Sequence, residues 1–117
     1  MKPLKIFYID DEPDLLELFA ESISSDTIQV ITFLDPFVAL AEIKSHKPDI
    51  VFIDYRLPGM TGDEVVAKIG TEIPCVILTG ELSLTVNGSV KAILMKPYKL
   101  AEIHKIISEI KQSKKTA

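Results

Sequence analysis

The sequence predicts an α/β fold built on one doubly wound sheet of five parallel strands, with helices on both faces. Short apolar runs alternate along the chain with longer amphipathic segments, which is typical of repeated strand and helix units. The central run, residues 50–53, contains no polar residue and stops at Asp54, as expected of a strand buried on both faces. Right-handed crossovers favour the strand order 2-1-3-4-5, in which the first and third strands are neighbours.

The chain has the length and composition of one globular domain. It has 117 residues, of which 47% are hydrophobic and 26% charged, and about two-thirds of the unfolded surface can be buried at this length. We therefore expect residues 1–117 to form a single domain, with an ordered core from about residue 3 to residue 112.

Charge and hydropathy exclude several classes of function. The net charge of −4 argues against direct nucleic-acid binding by this chain. No apolar run approaches the roughly 18 residues that a membrane span needs. Because the N-terminus also lacks the cleavage site of a signal peptide, we expect a cytoplasmic protein that does not bind membranes.

The first two strands are each followed by a helix that starts at a proline. Residues 4–9 predict a strand, and Pro13 then starts a helix that ends near Ser24. In residues 28–33, apolar and polar residues alternate more than in the other runs, which favours a strand near the edge of the sheet. Pro36 starts the second helix, whose predicted inward face consists of Phe37, Leu40, Ala41 and Ile43.

The second half of the chain continues the same alternation. Thr61 and Glu64 have the spacing of a capping box, and the helix that they open can stop at Gly70. Residues 74–78 and 90–95 predict the fourth and fifth strands, which leaves residues 80–89 for two loops and a shortened fourth helix. The last helix has an apolar face and ends in a tail, residues 112–117, that we expect to fray. That apolar face consists of Leu100, Ile103, Ile107 and Ile110.

Polar side chains stand at the ends of four of these strands. The carboxyl ends of parallel strands meet at one edge of a sheet, and the flavodoxin-like strand order places a ligand crevice between the first and third strands. We therefore expect these side chains to converge on one site. They are Asp10 and Asp11 after the first strand, Asp54 after the third, Thr79 after the fourth and Lys96 after the fifth.

Such a cluster suits a cation and a phosphoryl group. Three carboxylates at about 4 Å repel one another by roughly 1 to 4 kcal/mol per pair, and a bound Mg²⁺, which prefers oxygen ligands, would offset this repulsion. The hydroxyl of Thr79 and the ammonium of Lys96 could then hold phosphate oxygens. Without a Ser-His or Cys-His pair in reach, the nucleophile would be a carboxylate, and Asp54 is the best candidate.

Each of these residues also has a simpler interpretation. Asp54 alone could be a loop residue that accepts hydrogen bonds from nearby backbone N–H groups. Asp10 or Asp11 could cap the first helix, and Lys96 could be an ordinary surface lysine. A third interpretation is a Mg²⁺-dependent phosphatase with an aspartate nucleophile. Such hydrolases usually carry D-x-D after a strand, whereas Asp10 and Asp11 of this chain are adjacent.

Four short motifs stand in order along the chain, each with its predicted strand: IDDE (residues 9–12), DIVFID with the turn LPGMTG (49–54 and 57–62), ILTG (77–80) and MKPY (95–98). Together they resemble the receiver domain of two-component response regulators, the CheY-like phosphoacceptor domain. The resemblance covers nearly the whole chain and implies that the Lys96–Pro97 bond is cis. It also implies that Asp54 is the phosphoacceptor, that Thr79 senses the phosphoryl group and that Lys96 pairs with it.

The resemblance further implies a metal ion and a set of partners. Mg²⁺ would lie in the acidic pocket of Asp10 and Asp11, held by Asp11, Asp54 and the backbone carbonyl of Arg56. The phosphodonor would be a phosphohistidine on a histidine kinase or histidine phosphotransfer protein. The domain would catalyse only its own phosphoryl transfer and autodephosphorylation, and it would signal to a downstream protein as a monomer or a phosphorylation-dependent dimer.

Three features depart from the family pattern. Ile93 stands where the family often has tyrosine or phenylalanine, Gly80 replaces a residue with a Cβ, and residues 80–89 are short for a fourth helix. These departures favour an alternative, a receiver-fold interaction module with degenerate or absent phosphorylation switching. A final hypothesis is that Arg56 pairs with Glu81 across the site entrance and hinders the attacking water.

Overall fold

The computed structural model describes residues 2–81 and 90–116. Its strands are β1 (Leu4–Ile9), β2 (Ile28–Phe33), β3 (Ile50–Asp54), β4 (Arg56–Leu57), β5 (Met60–Thr61), β6 (Cys75–Thr79) and β7 (Ala92–Met95). Its helices are α1 (Pro13–Ile23), α2 (Pro36–Ser45), α3 (Gly62–Ile69) and α4 (Leu100–Thr116). Most of the predicted short fourth helix, residues 82–89, lies outside the described residues.

Five strands pair in parallel in the order β2-β1-β3-β6-β7, which confirms the predicted flavodoxin-like sheet. The predicted edge position of the second strand is also confirmed, because β2 stands at one end of this order and pairs with β1. The register aligns Ile9 with Ile53 and Thr79 with Met95. The strands therefore end at a common edge, where the residues that follow them can meet.

Each face of the sheet has its own apolar core. Because successive side chains of a strand point to opposite faces, Ile6 and Tyr8 of β1 join the core beneath α1 and α4, whereas Phe7 and Ile9 join the core beneath α2 and α3. β3 is buried along its whole length. The sheet is thus covered on both sides, as its continuous apolar strands predicted.

The predicted helix starts are confirmed. Pro13 and Pro36 are the first residues of α1 and α2. The carboxylate of Glu64 accepts the Thr61 backbone N–H at 3.0 Å at the start of α3. Gly70 ends α3 with a φ of 90°, a conformation that glycine adopts without steric cost.

Two predicted inward faces are partly wrong. In α2, Phe37 is 57% exposed and Ala41 is also exposed, while Ala39 is fully buried. In α4, Leu100 is 47% exposed and Ile106 is buried instead. The apolar stripe of each helix is broad, so packing against the sheet, and not the sequence period, determines which edge of the stripe is covered.

The end of α4 also differs from the prediction. The helix continues to Thr116, beyond residue 112, where the sequence predicted a frayed tail. Lys114 contributes to this extension, because its Nζ lies 2.7 Å from Oδ1 of Asp49. The other oxygen of Asp49 accepts the backbone N–H of Lys5 at 2.7 Å, so the last turns of α4 are tied to the amino-terminal end of the sheet.

In the part of the chain that the structure describes, no helix is long and apolar enough to cross a membrane.

Candidate functional site

The three aspartates predicted to cluster lie together at the carboxyl ends of β1 and β3. One carboxylate oxygen from each of Asp10, Asp11 and Asp54 lies within 4.8 Å of the others. Asp10 has no exposed surface and Asp54 is 7% exposed, whereas Asp11 is open to solvent. The pairing of β1 with β3 accounts for the cluster, because it places the ends of these two strands side by side.

Lys96 reaches the same cluster from the other side of the site. Its Nζ lies 2.8 Å from Oδ1 of Asp54 and 3.1 Å from Oδ2 of Asp10. Its backbone N–H donates to the carbonyl of Thr79 at 2.7 Å, which holds the segment after β7 against the end of β6. The Lys96–Pro97 bond is cis, as the sequence resemblance implied.

Burial and charge oppose each other in this cluster. Burial is the largest effect on Asp54, and together with the charges of Asp10 and Asp11 it raises the pKa of the Asp54 carboxyl, although Lys96 acts in the opposite direction. Burial lowers the pKa of Lys96, but the hydrogen bond to Asp54 and the charge of Asp10 outweigh it, so its pKa is raised. Lys96 is therefore positively charged, and its single charge offsets only part of the negative charge of the three aspartates.

The orientation of Asp10 depends on a residue that the sequence analysis missed. The hydroxyl of Tyr8 donates to Oδ2 of Asp10 at 2.6 Å, and the backbone N–H of Glu12 donates to Oδ1 at 3.1 Å. Burial is the main reason that the pKa of Tyr8 is raised, and Asp10 adds to the effect. Tyr8 lies in an apolar strand, and the sequence around it would suit a buried phenylalanine equally well.

Thr79 and the predicted ion pair lie at the ends of β6 and β3. Thr79 is buried, and its Oγ1 accepts the backbone N–H of Glu81 at 3.0 Å. The Glu81 carboxylate pairs with Arg56, whose Nε lies 2.7 Å from Oε1. The predicted pairing of these two residues is confirmed, and it joins the loop after Asp54 to the loop after Thr79.

Gly62 holds the loop after Asp54 close to α3. Its N–H donates to the carbonyl of Tyr55 at 2.8 Å. A Cβ at this position would lie 2.9 Å from the carbonyl oxygen of Asp54 and 3.0 Å from Cα of Tyr55, so only glycine allows this approach. By contrast, a Cβ on Gly80 would meet no atom within 4 Å among residues 2–81 and 90–116, so none of these residues requires glycine there.

The charge crowding makes a prediction about stability without metal. In EDTA at pH 7, Asp54→Asn should stabilise the protein by about 1 kcal/mol, or about 4 °C in melting temperature. Asp11→Asn should act in the same direction but less, since Asp11 is exposed. Glu17→Gln, an exposed change on α1, is the control and should have little effect. A lower melting temperature for Asp54→Asn would contradict charge crowding.

The same substitution has a defined pH dependence. The folded pKa of Asp54 is raised above its ordinary value of 3.8, so the folded state binds this proton more tightly than the unfolded state does. The contribution of Asp54 to the free energy of unfolding should therefore fall as pH rises from 3.8 through the folded pKa. The gain in stability from Asp54→Asn should therefore be small below this pH window and reach its full size above it. Melting curves recorded in EDTA at several pH values measure this gain.

The geometry defines what the site can do. Three carboxylates offer oxygen ligands to a metal ion. One charged lysine can pair with an anion at the same point, and a buried hydroxyl stands at the end of the neighbouring strand β6. The chemistry of this donor set is that of a site for a metal ion together with an anionic group.

The sequence is similar to those of known proteins. The sequence model of the family described as response regulator receiver domain matches residues 6–108. The DNA-binding response regulator MtrA of Mycolicibacterium smegmatis is 28% identical over 106 residues, which are 85% of this chain and 46% of MtrA. The probable transcriptional regulatory protein TcrX of Mycobacterium tuberculosis is 28% identical over 112 residues, 87% of this chain and 47% of TcrX.

A third relative is an enzyme. The protein-glutamate methylesterase/protein-glutamine glutaminase 3 of Geobacter metallireducens is 30% identical over 105 residues, which are 88% of this chain but 29% of that protein. The chain thus spans less than half the length of these curated relatives. Most of each relative's length therefore has no counterpart in this chain.

Solved structures show the same fold. The signal receiver domain of an HD domain-containing protein from Pseudomonas fluorescens Pf-5 superposes with a TM-score of 0.88 at 21% identity, with 100% of both chains covered. A CheY-like receiver domain from Methylobacillus flagellatus gives a TM-score of 0.81 at 21% identity, over 93% of this chain and 99% of that one. The family match, which extends over most of the sequence, and this common fold agree that the chain belongs to the response regulator receiver domain family.

Proposed function

We propose that this domain accepts a phosphoryl group on Asp54, with Mg²⁺, from a phosphohistidine of a histidine kinase or histidine phosphotransfer protein. It then signals by contact with a downstream protein, and it catalyses no reaction beyond its own phosphorylation and dephosphorylation. The observation that carries this proposal is the bridge from Lys96 to both Asp54 and Asp10 beside the exposed Asp11.

The acidic cluster fits Mg²⁺. The ion is commonly held by one or two carboxylates and keeps other positions for water or phosphate oxygens. Asp11 and Asp54 would be ligands, with the backbone carbonyl of Arg56, and Asp10 would complete the acidic pocket. When bound, the ion would neutralise charge on the phosphoryl oxygens.

The protein groups would perform the transfer as follows. A carboxylate oxygen of Asp54 attacks the phosphorus atom and forms a P–O bond while the P–N bond of the phosphohistidine breaks. The bonding electrons go to the imidazole nitrogen of the donor, and the ring, which has taken a proton from water on its other nitrogen, leaves as neutral imidazole. Lys96 stabilises charge on the transferred group, and the Thr79 hydroxyl donates a hydrogen bond to it.

Labelling with a small phosphodonor tests this proposal. Acetyl phosphate with Mg²⁺ should add one phosphoryl group to the protein, detected by intact-protein mass spectrometry and located by sequencing the peptide that contains residue 54. The same incubation in excess EDTA should give no adduct. An adduct that forms equally well in EDTA, or none with Mg²⁺, would contradict the proposal.

The pair of Arg56 and Glu81 should affect the lifetime of the phosphorylated form. Because the pair joins the two loops beside the acceptor, we expect Arg56→Ala to admit water more easily and to speed dephosphorylation about threefold, or roughly 0.7 kcal/mol in the barrier. Glu81→Ala breaks the same pair and should have a similar effect. Loss of the label is followed after removal of acetyl phosphate, and an unchanged rate in Arg56→Ala would disprove this role.

A second candidate function is an interaction module that no longer switches by phosphorylation. Ile93 favours it, because this residue is 42% exposed on β7 and cannot form a polar or aromatic switch. Beryllofluoride with Mg²⁺, which mimics the phosphoryl group, distinguishes the two functions. Unchanged amide NMR spectra on its addition would favour the interaction module, and widespread changes beyond the site would favour the phosphorylated receiver.

A further inference from the structure

The hydroxyl of Tyr8 is a buried donor that the proposed transfer does not use. Tyr8 lies on β1 with no exposed surface. It precedes Asp10 by two residues and therefore points to the same face of the strand. Its hydroxyl reaches the edge of the sheet and donates to Oδ2 of Asp10 at 2.6 Å.

This hydrogen bond completes the set of donors around Asp10. Lys96 also approaches Oδ2, at 3.1 Å, and the backbone N–H of Glu12 donates to Oδ1 at 3.1 Å. A fully buried carboxylate needs such donors to offset its lost hydration. Because they approach both oxygens from different directions, they also fix the rotation of the carboxylate plane.

The ring of Tyr8 is itself held in place by aromatic neighbours. Its centroid lies 4.4 Å from that of Phe19, and Phe19 lies 5.3 Å from Phe52. Such packing leaves the phenol little freedom to turn away from Asp10. The hydroxyl is therefore positioned before any ion or phosphoryl group arrives.

We propose that Tyr8 is a positioning residue for the metal site, and this inference rests on the proposed function. Its hydroxyl holds the Asp10 carboxylate in the orientation that serves the acidic cluster. It also gives Oδ2 of Asp10 a second donor besides Lys96, so that this buried oxygen remains hydrogen-bonded when Lys96 turns to a phosphoryl group. An apolar side chain at position 8 could supply neither effect.

Mg²⁺ binding by the unphosphorylated protein tests this role. Tyr8→Phe keeps the ring and removes only the hydroxyl, and we expect it to weaken Mg²⁺ binding about tenfold, the smaller end of the loss seen when an outer hydrogen bond at a metal site is removed. The dissociation constant is read from backbone amide NMR shifts during titration with MgCl₂. An affinity of Tyr8→Phe within twofold of the unsubstituted protein would overturn the inference.

Two controls separate the hydroxyl from packing and from the proposed function. Tyr98→Phe removes a phenol from the same aromatic group and should leave the affinity unchanged. Ile107→Val, a change of a buried residue in the same core, should lower the melting temperature in EDTA but keep the affinity, and a loss as large as that of Tyr8→Phe would assign the effect to general packing and overturn the inference. Failure of the unsubstituted protein to bind Mg²⁺ would instead overturn the proposed magnesium site, and this inference with it.

Discussion

Asp54→Asn is expected to reduce labelling by acetyl phosphate and Mg²⁺ to background. The amide that replaces the carboxylate is neutral and a poor nucleophile, and it also removes one oxygen ligand from the acidic cluster. Intact-protein mass spectrometry over a time course measures the result. The variant should remain folded, because it relieves charge crowding at a site where burial already disfavours the ionised carboxylate.

The matched control for this prediction is Asp49→Asn. Asp49 directly precedes β3, at the opposite end from Asp54, where it pairs with Lys114. Its substitution should cost some stability and leave the labelling rate unchanged. Labelling that survives Asp54→Asn would show that another residue accepts the phosphoryl group, and the proposed function would then be wrong in its central step.

Lys96→Met should lower the free energy of unfolding by about 3 kcal/mol in EDTA. Lys96 is the cation that Asp10 and Asp54 share, and both carboxylates are almost inaccessible to solvent. Removing one partner of a buried ion pair leaves an uncompensated charge, which is far more costly than losing a surface pair. Urea unfolding at pH 7 measures the change, and the same variant should accept the phosphoryl group slowly.

Two further variants test the cause of that loss. Lys99→Met removes an exposed lysine three residues away and should change the free energy of unfolding by less than about 0.5 kcal/mol. Adding Asp54→Asn to Lys96→Met should recover part of the lost stability, because one of the unpaired charges is then gone. A stability of Lys96→Met equal to that of the natural sequence would refute the electrostatic account of this site.

The sheet and most of the site follow from local sequence patterns. Continuous apolar runs identify the buried strands, and the handedness of crossovers then determines which strands are neighbours. Asp10, Asp54 and Lys96 could be brought together from sequence because Asp54 ends a strand of that sheet and the other two directly follow one. Their convergence required no knowledge of side-chain packing.

Other features depend on contacts that no local pattern encodes. The hairpin of β4 and β5 has only two residues in each strand, too few to show a period. The hydrogen bond from Tyr8 to Asp10 forms because β1 is buried so deeply that the tyrosine hydroxyl has no access to water. The exposure of Leu100 depends on how α4 is rotated against the sheet, which the tertiary packing determines.

The contact between Lys96 and Asp10 joins positions that are 86 residues apart. A ribosome-bound chain, or a proteolytic fragment, that stops before β7 therefore contains the three aspartates of the site but not the amine of Lys96. Closing so long a loop carries an entropic penalty that is recovered only when the final strand docks. Under the proposed function, reactivity toward a phosphodonor should thus emerge late in biogenesis, after the final strand has been synthesised.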